Sequence, residues 1–107
     1  MELNQYAIVL ANLDPTIGSE IKKTRPCVII SPDEMNRHLN TIIVAPMTTS
    51  LHNYPTRIPV KHDNKKGMIA IDQIRTIDKS RIIKTFNRLT NTEIEHCKSI
   101  IRETFVD

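Results

Sequence analysis

The one sustained helical pattern in this chain lies near its C-terminal end, and the sequence before it is broken into short extended runs. Thr90 followed by Glu93 is a capping-box signature. In such a box a hydroxyl and a carboxylate each satisfy a backbone N–H that the first turn leaves unpaired. Leu89 is placed to pack against Ile94 across that turn. Ile94, Cys97, Ile101 and Phe105 then recur at helical spacing, with Ile100 widening the stripe. The spacing predicts one amphipathic helix of roughly three to four turns. Upstream, residues 6–13, 26–31, 41–45, 56–60, 68–71 and 81–84 read as strands, separated by Asp14-Pro15, Ser31-Pro32, Pro46, a charged turn over 61–67 and Asp78-Lys79-Ser80. Pro59 cannot donate to a ladder, so 56–60 is expected at a sheet edge. Residues 33–40 read as a short helical turn with Asn36 near its centre. About six short strands and one covering helix predict a mainly β (α+β) fold, a small, curved or barrel-like antiparallel sheet.

Composition narrows the classes. A chain of 107 residues that is 39% apolar fits one domain, expected over residues 1–107, with a core that needs no staples. The apolar runs at 7–11 and 27–30 are too short to span a bilayer. No basic segment followed by an apolar one opens the sequence, which predicts no secretory signal and a cytoplasmic location. Cys27 and Cys97 fall in a strand and a helix without metal-ligand spacing, so both read as reduced core thiols. No pair among His38, His52, His62 and His96 has ligand spacing, so surface positions are expected and no metal or cofactor is implied. His52 and His62 adjoin polar segments from which either could approach a ligand. The net charge of +3 favours anionic partners. Aromatic residues are limited to Tyr6, Tyr54, Phe86 and Phe105, which argues against an aromatic base-stacking platform.

Two polar segments carry the chemical content. The loop running from Asp14 to Pro26 contains Gly18, suited to a left-handed backbone, and ends in Arg25-Pro26 at the head of a strand. Pro26 confines Arg25 to extended backbone, so a rigid element would carry the guanidinium. Alone, the loop reads equally as a solvated basic segment or an anion site. Pro46-Met47-Thr48-Thr49-Ser50 ends another strand with three successive hydroxyls. Such a run is often turn chemistry, but beside an arginine it supplies hydrogen-bond donors for a phosphate.

The ordered set Asp14-Pro15, Gly18-Ser19-Glu20, Arg25-Pro26, Asn36, Pro46-x-Thr48-Thr49-Ser50, Asp72 to Asp78 and Arg81 resembles the MazF/PemK toxin endoribonucleases across nearly the whole chain. The resemblance implies an SH3-like barrel with a terminal helix, a homodimer and sequence-specific, metal-independent cleavage of single-stranded RNA. It also implies a cognate antitoxin whose acidic, disordered tail covers the RNA groove. Arg25 and Thr48 match the catalytic pair of the MazF branch. Ser19, Glu20, Lys23, Asn36, Thr49, Ser50, Gln73 and Arg81 are carried over as RNA-binding residues. Arginine is a sound phosphate clamp and a poor base, because its pKa lies above about 12. Attack by the RNA 2′-hydroxyl would give a 2′,3′-cyclic phosphate and a 5′-hydroxyl, with the proton acceptor open.

Departures from the family pattern discriminate between its branches. The Kid/PemK branch places a histidine in the first loop and an Arg-x-Asp triplet before the glutamine; here those positions are Ser19 and Ala70, with Asp72 retained. Asp72 then reads as a structural anchor, with the base role as its alternative. Asn4-Gln5 replaces the usual Gly-Asp before the first strand, and Asn87 stands where a glycine would make a left-handed turn before the helix. Other readings of the same barrel are a non-catalytic RNA binder or a CcdB-like gyrase poison. The latter relatives end in Trp-Gly-Ile, whereas this sequence has no Trp and ends Phe105-Val106-Asp107.

Overall fold

The computed structural model describes residues 2–51 and 53–106. Its elements are β1 (Ala7–Asn12), β2 (Thr24–Ile29), α1 (Asp33–His38), β3 (Thr41–Thr48), β4 (Arg57–His62), β5 (Lys65–Ala70), β6 (Arg75–Asp78), β7 (Ile82–Arg88) and α2 (Asn91–Ile101). The strands form one 7-stranded sheet in the order β4-β5-β3-β2-β1-β7, with β6 paired to β3. Every pairing is antiparallel, and the long β3 passes from β2 and β6 at its start to β5 at its end. This is the mainly β, curled antiparallel sheet with a C-terminal helix that the sequence pattern predicts.

Period-two alternation explains why the sheet curls around two cores. Along β1, Ala7, Val9 and Ala11 enter one apolar cluster, while Ile8 enters the other. Likewise Cys27 and Ile29 oppose Val28, and Ile42 and Val44 oppose Ala45 and Met47. Strands buried on both faces read as continuous apolar runs, which is why no polar face was visible in the sequence of β1 or β2. Fully burying each of the Val, Ile and Met side chains among them stabilises the fold by about 1.5–3 kcal/mol. Burial pushes the thiols of Cys27 and Cys97 up to about 12, so both stay protonated and serve as packing groups.

The helix α2 closes one of these cores. Thr90 Oγ1 accepts the Glu93 N–H at 3.2 Å, and Glu93 Oε1 accepts the Thr90 N–H at 2.9 Å, completing the capping box. Leu89, Ile94 and Cys97 are buried in the same cluster, with Ile100 and Ile101 packed against it. Phe105 does not extend this stripe and is 58% exposed. The backbone widens into a π turn over Arg102–Val106, which moves Phe105 out of phase with the buried face.

Several boundaries differ from expectation for identifiable reasons. The strand expected to stop at Pro46 continues to Thr48. Pro46 falls where one edge of β3 changes partner from β6 to β5, so no ladder N–H is needed there. The charged turn is only Asp63-Asn64, both at positive φ, and Lys65 already belongs to β5. β6 was not anticipated. Asn87 makes no left-handed turn but lies inside β7.

Asn36 departs most from its expected role, since its side chain faces the interior rather than a ligand. It is 3% exposed, accepts from Ser31 Oγ at 2.5 Å and donates to the carbonyls of Leu3 at 3.0 Å and Ser31 at 2.9 Å. A buried amide with these partners ties α1 to the chain before β1 and has no donor to offer RNA.

Candidate active site

Register brings the two family-matched residues together. Cys27 pairs with Pro46, Val28 with Ala45 and Ile29 with Val44. Followed two residues further in the antiparallel sense, that register projects Arg25 opposite Thr48. Both side chains line a cleft of about 320 Å³ with Thr49, His62, Asp63, Lys65, Lys66 and Phe86. The expected pair thus shares one concave surface, with lysines at its rim.

The hydrogen bonding of the pair suits a phosphate. Arg25 is half-buried, and its Nε donates to the Lys22 carbonyl at 3.3 Å. Among the described residues its two terminal nitrogens have no partner, which leaves a planar fork for two anionic oxygens. The Thr48 hydroxyl oxygen accepts the Ser50 N–H at 3.1 Å, so its own hydrogen is free to donate into the cleft. Ser50 therefore orients Thr48 through its backbone. Thr49 lines the cleft and is exposed.

The floor of the cleft depends on a glycine that sequence reasoning passed over as part of a charged turn. A Cβ built on Gly67 would lie 3.0 Å from the Thr48 carbonyl oxygen and 3.8 Å from its carbon. Thr48 pairs with Met68, so the backbones of β5 and β3 approach closely beside Gly67, where any side chain would press on the Thr48 carbonyl.

The other expected ligand residues are used to hold the first loop. Gln73 Oε1 accepts the Ile21 N–H at 2.7 Å, and its Nε2 donates to the Ser19 carbonyl at 3.5 Å. Glu20 Oε1 accepts the Ile17 N–H at 2.7 Å, closing the turn around Gly18, whose φ is +57°. Arg81 donates to the Asn12 carbonyl at 3.2 Å and also to the Asp14 carbonyl. Lys23 has a φ of 71°, and its N–H donates to Asp14 Oδ1 at 3.1 Å, while its ammonium is exposed. Ser19 and Glu20 line a second cleft of about 370 Å³ with Pro46, Asp72, Gln73 and Arg75. Strand β3 lies between the two clefts, giving Pro46 to one and Met47 and Thr48 to the other.

Asp72 belongs to an ion pair that the sequence did not reveal. Arg57 Nε donates to Asp72 Oδ1 at 2.7 Å and Arg57 Nη2 to Oδ2 at 3.1 Å, while Thr56 Oγ1 donates at 2.9 Å. The Arg57 hydrogen bonds, aided by that of Thr56, hold the Asp72 carboxyl below the usual carboxylate range despite partial desolvation. Both oxygens of this carboxylate are thus engaged by protein donors. His38 and His96 are exposed, as expected, and His52 lies outside the described residues.

A family model described as the PemK-like, MazF-like toxin of type II toxin–antitoxin systems matches residues 4–105. The chain belongs to that family. Among curated relatives, this PemK/MazF-type chain is 32% identical over 100 residues to a protein named Endoribonuclease MazF from Staphylococcus saprophyticus, covering 88% of this chain and 83% of that protein. A second, of the same name from Staphylococcus epidermidis, is 33% identical over 93 residues, covering 81% and 78%. The fold matches the MazF crystal structure from Deinococcus radiodurans with a TM-score of 0.83 at 20% identity, covering 94% of this chain and 93% of that one. The Mycobacterium tuberculosis toxin MazF-mt6 matches with a TM-score of 0.79 at 24% identity, covering 92% and 95%. The gyrase-poison alternative is not favoured by these findings. Among the described residues no helix is long and apolar enough to cross a membrane, and no cluster of three or more His, Cys, Asp or Glu is placed to hold a metal ion.

The Gly67–Thr48 approach yields a direct test. Gly67→Ala should destabilise the fold by about 1–3 kcal/mol, as overpacking against backbone does. It should also displace the amide resonances of Thr48 and Thr49. Urea melts and amide NMR spectra check both. Unchanged stability with unmoved Thr48 would mean that Gly67 does not set the position of β3.

Proposed function

We propose that this chain is a sequence-specific endoribonuclease toxin that cuts single-stranded RNA at the Arg25–Thr48 cleft without a metal ion. The observation that carries the proposal is the uncommitted guanidinium fork of Arg25 beside a threonine whose hydroxyl hydrogen is left free by Ser50. The curated relatives named Endoribonuclease MazF support it over most of the chain's length.

The geometry suits one reaction class. Attack of a 2′-hydroxyl on the adjacent phosphorus builds negative charge on the non-bridging oxygens. Arg25 can meet that charge with two parallel N–H donors and Thr48 with an O–H donor. Lys65 and Lys66 at the rim draw the RNA backbone in through a salt-sensitive attraction that is blind to sequence. Base specificity then rests with the loops over 16–24 and 47–54. Of the residues expected to touch RNA, Thr49 is the one exposed within this cleft, with Lys23 exposed on the first loop. Ser19, Glu20, Gln73 and Arg81 act chiefly by fixing that loop.

Action in the cytoplasm as a homodimer, neutralised by a cognate antitoxin with an acidic tail, completes the proposal. One structural neighbour is titled an endoribonuclease in complex with its cognate antitoxin from a mycobacterial species, which supports the antitoxin part. Sedimentation of a monomer alone at micromolar concentration would contradict the dimer.

Purified protein with single-stranded RNA in EDTA should give fragments ending in a 2′,3′-cyclic phosphate, identified by mass spectrometry. Arg25→Ala and Thr48→Ala should each lower kcat by about 10²–10³-fold, the usual effect of removing a donor to a developing oxyanion. Uncut RNA across sequence-diverse substrates, or full activity in Arg25→Ala, would overturn the proposal.

A further inference from the structure

The cleft supplies two donors for the phosphate, yet neither Arg25 nor Thr48 can take the 2′-hydroxyl proton at neutral pH. Guanidinium has no acceptor, and an alkyl hydroxyl is far too weak a base. Lys65 and Lys66 carry ammonium groups and are likewise donors. Asp72 lines the other cleft and is engaged by Arg57 and Thr56. Among the residues lining the Arg25 cleft, this leaves His62 and Asp63 as groups able to accept a proton.

His62 is the better placed of the two. It is the last residue of β4, half-buried, and its register partner is Lys65. Its ring meets the Phe86 ring edge-on, with centroids 4.9 Å apart and planes at 70°. That contact fixes the ring through its carbon framework. Its nitrogens make no hydrogen bond with the described residues, so they remain open to a ligand. Asp63 is exposed at the left-handed hairpin turn, without such support. The charged groups around His62 are Asp63 on the turn, Lys65 and Lys66 on β5, Arg25 on β2 and Lys84 on β7, whose ammonium lies 5.1 Å from the Phe86 ring centre.

We infer that His62 is the general base of RNA cleavage at this site, taking the 2′-hydroxyl proton while Phe86 holds its ring. The inference rests on the nuclease reading above. The 2′-oxygen bonds to phosphorus, the bond from phosphorus to the 5′-oxygen breaks, and the 2′ proton passes to an imidazole nitrogen. The departing 5′-oxygen takes a proton from water, and the imidazolium returns its proton to solvent.

Single-turnover cleavage of single-stranded RNA in EDTA, followed from about pH 5 to 8, tests this, because histidine side chains change charge in that interval. Wild-type rates should rise with pH along a limb set by one proton. His62→Gln should lower the rate about 10²–10⁴-fold, the usual contribution of a general base, with KM little changed and the limb lost. Added imidazole should restore part of the rate to His62→Gly. Thermal melts of both variants, matching wild type, exclude misfolding as the cause. Wild-type cleavage with an unimpaired His62→Gln, or loss of the limb in Asp63→Asn instead, overturns the assignment to His62 alone. Wild-type protein that cuts no RNA overturns the nuclease reading, and this inference with it.

Discussion

The pairing of β2 with β3 is the constraint on which the rest of the molecule depends. Cys27 opposite Pro46 sets Arg25 and Thr48 on neighbouring strands at one end of the sheet. A slip of one residue would send every side chain of a strand to the opposite face. Here that would exchange Val28 with Cys27 and Ile29 between two separate cores. Because both faces are buried, neither strand has a polar face to tolerate the exchange. The same packing that stabilises the fold therefore fixes the separation of Arg25 and Thr48.

Around that register, the polar residues divide by what they bind. Arg57, Arg75 and Arg81 direct donors at protein acceptors: the Asp72 carboxylate, the Leu13 carbonyl and the carbonyls of Asn12 and Asp14. Gln73 and Glu20 likewise hold backbone N–H groups of the first loop. The contacts of Arg75, Arg81, Gln73 and Glu20 position the loop that leads into Arg25, whose own terminal nitrogens have no partner among the described residues. Preorganised donors of this kind lower a barrier because they need no rearrangement as charge develops. Gly67 serves the same end from the other side by letting β5 lie against Thr48.

Much of this was legible in the sequence, for reasons that particular residues make clear. Thr90 and Glu93 announced the helix because a capping box is local chemistry. Pro59 placed its strand at an edge, where β4 lies. Arg25 and Thr48 were legible through family resemblance, but their meeting required a register that no local pattern encodes. β6 escaped notice because only Ile77 of its four residues is buried, leaving no alternation to read. Asn36 looked like a ligand residue because a buried, satisfied amide and an exposed one have the same sequence signature. His62 looked like a surface histidine, since only the folding of β4 and β7 brings it to Phe86 and the Arg25 cleft.

The central claim is that the scissile phosphate sits between Arg25 and Thr48. Titration of the isotope-labelled protein with a single-stranded RNA carrying a 2′-deoxy nucleotide at its cleavage site, followed by amide NMR, tests it most directly. The account predicts that shifts concentrate at Thr24, Arg25, Thr48, Thr49 and residues 65–67, while Asn36 and α2 stay unmoved. Shifts centred on α1 and the buried Asn36, with Arg25 and Thr48 unaffected, would contradict it.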